Sequence, residues 1–276
     1  MKNKSNKANL DKGVFGSFNP NAEIFKKLKE RQPKWWLLLL EDKELYIDIR
    51  KDNYINVYYY GGSLAKIKYK KCFVASIHKK YLGVNDSNSD YTKLDLERLT
   101  KKDIEAIKEQ IEINYLKDNP EEPGEKKIQG KLILENPNFI DSEFQYNRGA
   151  ENLRIDLIEL SNGKLSFVEL KVISDKRLRN DETRNKEIPE IIGQMKKYSE
   201  FMNEYETEIV NYYKQLLDLK NDLGISKLSE NFILEKTPIL LIVNTYNKST
   251  KARAERIEVI ENLLKTHKIK YRVEKL

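Results

Sequence analysis

The sequence predicts a mixed α/β (α+β) protein, in which a small, mostly antiparallel β region carrying a helix precedes an αβββαβ core. Three observations predict it. Residues 153–171, LRIDLIELSNGKLSFVELK, form two runs of strand composition joined by Ser161-Asn162-Gly163, and Asn-Gly between such runs is a strong hairpin signal. Downstream, stretches of helical periodicity alternate with short apolar runs of strand length. Upstream, short segments rich in Tyr, Ile and Val are separated by turn residues.

The elements follow in chain order. Residues 1–18 read as a flexible N-terminus, since Met1–Leu10 is rich in Lys and Asn. Residues 19–118 read as a β-rich domain with strands at Trp36–Leu40, Leu45–Ile49, Ile55–Tyr60 and Leu64–Tyr69, and with Gly61-Gly62-Ser63 as a turn. Lys66, Lys68 and Lys70 share one face of the fourth strand, and Asn56, Tyr58 and Tyr60 share another on the third. Such a basic and aromatic platform can track a nucleic-acid backbone and stack bases. Edge lysines also guard a strand against aggregation, and tyrosines pack across strands, so a partner-binding or dimerising role stays open. Thr100 caps a helix bearing Ile104, Ile107, Ile111 and Tyr115.

Asp118–Gly124, DNPEEPG, has linker character and opens a second domain over 119–276. There a helix begins near Glu125, with Ile128, Leu132 and Ile133 as its apolar residues, and Phe144–Tyr146 is a first strand ahead of the hairpin. A helix follows over Pro189–Tyr205. It either continues to Leu223 through Ile209, Tyr212, Leu216 and Leu219 or folds back as a pair. A strand at Pro238–Asn244, a helix at Thr250–Lys265 and a strand at Ile269–Val273 complete the chain.

The hairpin carries the chemistry. It brings Asp156 together with Glu169 and Lys171, which lie two apart on a strand and so project to one face, while Leu170 points into the core. Phosphodiester hydrolysis needs an activated water and positive charge on the phosphoryl oxygens, which hard divalent cations supply and carboxylates hold. A lysine beside them can orient or deprotonate the water. Acid-x-Lys also occurs at Glu41-Asp42-Lys43, Glu125-Lys126-Lys127 and Asp218-Leu219-Lys220. Only Glu169-Leu170-Lys171 closes an apolar strand that follows another strand carrying an acid. The plainer alternative is a strand-end salt bridge.

Asp156, Glu169-Leu170-Lys171 and Gln194-Met195-Lys196-Lys197-Tyr198 together resemble the PD-(D/E)xK nuclease superfamily, with the Gln-x-x-x-Tyr motif of its RecB-like branch. The resemblance implies a restriction-endonuclease-like core and a Mg²⁺- or Mn²⁺-dependent nuclease. Asp156 and Glu169 would be metal ligands, Lys171 the water-orienting group, and Gln194 and Tyr198 supports that touch nucleic acid or brace the lysine. Gln194 and Tyr198, four apart, share a helix face. Alone they would read as a solvated glutamine and a core aromatic. The chain departs from the signature in carrying Ile155, not proline, before Asp156. A first acid is expected on the preceding helix. Glu125 is the choice and Glu135 the alternative, in an arrangement similar to that of NucS-type endonucleases.

A net charge of +7 suits a polyanionic partner, DNA ahead of RNA. Lys176, Arg177, Arg179, Arg184 and Lys186, in a loop after the second strand of the hairpin, and Lys196 and Lys197 on the helix are candidates for phosphate contacts, although charge runs are often merely solvated. The single cysteine, Cys72, excludes an internal disulfide and a cysteine-based zinc site, and only two histidines, His78 and His267, are present. The apolar run Trp35–Leu40 is too short to span a bilayer, and no signal peptide follows Lys2 and Lys4. A cytoplasmic nuclease of restriction, repair or phage defence is the expectation, with a homodimer left open. A fold relative that binds nucleic acid without cutting, or an interaction factor working through the N-terminal sheet, are the rivals.

Overall fold

The computed structural model describes residue 15 and residues 18–84, 89–116, 124–148, 151–179, 188–228 and 231–275. The expected loose N-terminus, apart from Phe15 and Phe18, and most of the expected linker lie outside them. Two sheets and seven α-helices are described.

The first sheet is an antiparallel meander, β1 (Tyr46–Arg50), β2 (Tyr54–Tyr59), β3 (Gly62–Tyr69), β4 (Phe73–His78) and β5 (Tyr91–Leu94), with neighbours in sequence paired in space. Ile47, Ile49, Ile55, Val57 and Ile67 alternate onto a face buried in the core, where α1 (Glu23–Arg31), α2 (Lys34–Glu41) and α3 (Lys101–Ile111) also bury their apolar residues. Each such side chain, removed from water, contributes about 1.5–3 kcal/mol. Thr100 caps α3 through a reciprocal box with Asp103.

Two expectations for this region are corrected. Trp36–Leu40 is not a strand but most of α2. Pro33, just ahead of the helix, leaves it free to start, and Trp35, Trp36 and Leu39 are buried while Leu37 is exposed, a helical pattern that a short all-apolar run conceals. The basic and aromatic platform on β2 and β3 also lacks two of its expected members, Tyr60 and Lys70, which lie beyond the strand ends. Pairing of Asn56 with Lys66 sets these two on one side, where the Lys66 Nζ stands 4.3 Å from the centre of the Tyr54 ring. Tyr60 leaves that face by entering the turn with φ 44°.

The second sheet has the order β11-β10-β8-β7-β6, with the short β9 (Ile233–Leu234) pairing beside β8. Strands β6 (Phe139–Arg148), β7 (Glu151–Ser161) and β8 (Lys164–Val172) are antiparallel, and β10 (Ile239–Asn244) runs parallel to β8 and to β11 (Tyr271–Lys275). Asn162 and Gly163 both have positive φ, 51° and 69°, as a two-residue hairpin with right-handed twist requires. The first strand is longer than the Phe144–Tyr146 read from sequence. Alternation along β8 sends Val168 and Leu170 to one core, beneath Ile128 of α4 (Glu125–Glu135), and Phe167 to the other. That larger core takes residues from α5 (Glu190–Glu204), α6 (Glu206–Asp222) and α7 (Lys251–Thr266). The long helical stretch is therefore two helices meeting at Tyr205.

The larger hydrophobic core is continuous across both sheets. A buried ionic layer joins them as well. Lys220 of α6 donates to Asp48 of β1 at 3.1 Å and to the Ile140 carbonyl at 2.5 Å, Ser142 donates to Asp48 at 2.6 Å, and Arg50 lies 3.6 Å from Asp141. At Gly130 of α4 a Cβ would meet the Tyr60 backbone at 2.5 Å, so helix and turn touch only because this residue is glycine.

Candidate active site

The site forms where β7 parts from β8. Pairing between them ends at Leu157 and Val168, and the next free donor, the Leu170 amide, turns to the Asp156 carboxylate at 3.0 Å. Along β7, Leu153 and Ile155 face the larger core, as do Ile158 and Leu160, so alternation slips by one residue at Asp156. Buried carbonyls released by this break need other donors. Gln129 of α4 donates to the Asp156 carbonyl at 2.7 Å, and the Tyr198 hydroxyl meets the Arg154 carbonyl. The break thus frees an acid from the ladder at mid-sheet and is closed by side chains from two helices.

Lys171 is almost fully buried and its ammonium is ringed by acids, with Glu169 at 2.5 Å, Asp156 at 3.5 Å and Glu125 at 3.9 Å. It also donates to the Leu170 carbonyl at 2.5 Å. Burial pulls against its charge, but Glu169, Asp156 and Glu125 outweigh that and raise its pKa, so it remains an ammonium. Such a group orients and attracts; it does not take a proton. Glu169 is pushed up to about 7, by burial first and by Asp156 second. Burial likewise raises Glu125.

Gln194 and Tyr198 of α5 both reach Glu169. Gln194 Nε2 donates to Glu169 Oε1 at 2.7 Å and to the Tyr198 hydroxyl at 2.6 Å, and that hydroxyl lies 2.8 Å from Glu169 Oε2. A phenol has one proton. It lies within reach of both the Arg154 carbonyl and Glu169, and donation to Glu169 favours the carboxylate, against the burial and the Asp156 charge that raise its pKa.

Glu125, Asp156, Glu169, Lys171, Gln194 and Tyr198 are therefore together. Glu135 is not: it lies at the far end of α4, exposed and 3.8 Å from Lys131. A cleft of about 640 Å³ opens beside the site, lined by Arg154, Arg177, Gln194, Lys197 and Tyr198 among others. Arg177 is held by Asp175 at 2.6 Å and stands 3.9 Å from Glu125. Lys196 faces solvent and pairs with Glu200, away from the cleft, as helix geometry requires of a neighbour of Lys197. Arg179 turns back toward the Ser174 carbonyl at 3.5 Å. Arg184 and Lys186 lie outside the described residues. Among the described residues no three His, Cys, Asp or Glu side chains are grouped tightly enough to enclose a metal ion. The donors at hand are the oxygens of two converging acids with a third at the mouth, a set that fits a hard cation keeping several waters.

Sequence reading missed Gln129, although its place four residues after Glu125 puts it on the same helix face. It also missed Glu143, which lies opposite Asp156 in the register of β6 and β7 with φ 54°. A left-handed glutamate in a strand leaves no mark in sequence. No family model, curated protein or solved structure matches this chain. No described helix is long and apolar enough to cross a membrane.

Proposed function

We propose that the protein is a metal-dependent nuclease of the PD-(D/E)xK type, with a restriction-endonuclease-like core, that hydrolyses phosphodiester bonds in nucleic acid, DNA foremost. The observation that carries this reading is the convergence of Asp156, Glu169 and Glu125 on the buried Lys171 ammonium, behind Gln194 and Tyr198, which line a neighbouring cleft bearing Arg177 and Lys197. A surface salt bridge needs no such burial, and isolated buried ion pairs are costly to maintain unless they serve another end.

Asp156 and Glu169 would hold Mg²⁺ or Mn²⁺, with Glu125 within reach. When bound, such a cation supplies positive charge to the phosphoryl oxygens and helps activate water. Lys171 keeps its proton and steadies the phosphate or the attacking water. Gln194 and Tyr198 fix the carboxylate of Glu169. Arg177 and Lys197 bind phosphates flanking the scissile bond.

Cleavage of single-stranded, duplex and branched DNA and of RNA, assayed with Mn²⁺, tests the reading. Activity should fall by about 10³-fold or more in Asp156→Ala and Lys171→Ala while binding changes little, because these groups act chiefly in the transition state. Absence of cutting on every substrate, or near-parental activity in either variant, refutes it.

A further inference from the structure

A second cavity, of about 290 Å³, lies between the polar face of β1 and β2 and the β6–β7 ribbon. It shares Gln145 and Arg154 with the cleft of the candidate active site, so the two spaces adjoin. Its walls include Tyr46, Tyr54, Tyr58 and Tyr115, of which Tyr46 is buried and the other three are at least partly exposed. Tyr46 and Tyr58 are stacked at 5.1 Å, while Tyr115 is 37% exposed. Arg50 and Lys66 already stand over the Tyr58 and Tyr54 rings, so the cavity wall combines aromatic surface with cations, the combination that receives a stacked base.

The floor between cavity and cleft is charged. Lys126 of α4 and Arg154 of β7 both pair with the carboxylate of Glu143, and both line the cavity. Burial alone would raise the Glu143 pKa, but Lys126 and Arg154 hold it below the usual carboxylate range. An arginine fork and a lysine converging on one anion is the arrangement that receives a phosphate. Glu143 reaches them from a left-handed backbone that a non-glycine residue seldom adopts.

We propose that this cavity is a nucleotide-binding subsite. The base stacks among the tyrosines, and the phosphate takes the place on Lys126 and Arg154 that the Glu143 carboxylate holds in the free protein. The volume is at the lower end for ligand pockets, which run from about 300 to 1,000 Å³, and suits one base and sugar rather than a base pair. The nucleotide is therefore unpaired. It comes either from the strand lying in the neighbouring cleft, a source that rests on the nuclease reading, or from a free nucleotide, which does not.

The test uses the full chain without divalent metal and two fluorescent probes, 2-aminopurine deoxyriboside 5′-monophosphate and short single-stranded oligonucleotides with 2-aminopurine at successive positions. Both probes should be quenched on binding, the oligonucleotide at one label position above the others. Tyr115→Ala and Tyr54→Ala should weaken binding about tenfold, the loss of one stacking partner. Glu143→Gln should tighten it by up to about fivefold, by removing a partly exposed internal competitor. Binding of the mononucleotide as tight as that of the oligonucleotide assigns the site to a free nucleotide; a clear preference for the oligonucleotide assigns it to the strand. Parental affinity in both tyrosine variants, or no quenching of either probe, overturns the subsite. Unchanged affinity in a folded Glu143→Gln overturns the phosphate seat. Failure of Mn²⁺-dependent cleavage with tyrosine-dependent mononucleotide binding intact would refute the nuclease and leave the subsite standing.

Discussion

Replacing Lys171 with methionine removes an ammonium that Glu169, Asp156 and Glu125 share, while nearly preserving the buried volume. Each unit-charge pair near 4 Å is worth about 4 kcal/mol at an effective dielectric of about 20, before the ammonium's desolvation, itself several kcal/mol, is subtracted. Deleting one partner of a buried pair costs about 3–5 kcal/mol net. At about 2–4 °C per kcal/mol for a chain of this size, the melting temperature at pH 8 should fall by about 6–20 °C. The loss should be smaller at pH 6, because Glu169, with its pKa pushed up to about 7, already carries a proton there. Thermal unfolding followed by circular dichroism at both pH values, with and without Mn²⁺, reads this out, and Mn²⁺ should restore stability more at pH 8. A drop equal at the two pH values, or none at all, would show that Lys171 is not the counter-charge of these acids.

Tyr198→Phe should lower stability by about 1–3 kcal/mol, since it strands a buried carbonyl at Arg154 and a donor on Gln194; urea denaturation giving a change below about 0.5 kcal/mol would contradict the hydrogen-bond assignment. Glu169 has a folded-state pKa above its unfolded value, so its contribution to stability is complete below the ordinary carboxylate range and is lost as pH rises through about 7. On the proposed metal-dependent reading a cation at Glu169 would have to displace that proton, and the Mn²⁺ affinity measured by calorimetry should weaken by up to about tenfold per pH unit below 7; a flat profile would rule Glu169 out as a ligand. Gly130→Ala drives a Cβ to 2.5 Å from the Tyr60 Cα and should destabilise by about 1–3 kcal/mol, seen as a lowered denaturation midpoint, whereas an unchanged midpoint would mean the helix and turn can separate freely.

The parts of the site that sequence disclosed are those that local rules place. Asn162-Gly163 dictates the hairpin, the hairpin places Asp156 near Glu169, and the two-residue repeat of a strand places Lys171 beside Glu169. Helical spacing likewise joins Gln194 to Tyr198. What stayed hidden depends on distant partners or on backbone choices that residue type does not announce. The helix α2 reads as a strand because WWLLLL has no polar position to reveal a period. The slip at Asp156 and the left-handed Glu143 opposite it are settled by Gln129 and Tyr198, which arrive from separate helices. The pairing of Asp48 with Lys220 spans 172 residues and has no local signature.

That layer of Asp48, Arg50, Asp141 and Lys220 has an outcome for how the chain can be divided. Severed near residue 119, each fragment would carry half of an ionic lattice whose charges are largely buried in the intact molecule, along with an uncovered slab of shared apolar core. Neither fragment is a module that recombination could graft onto another polypeptide unaltered. Any inheritance of one half without the other would have to rewrite those four positions together.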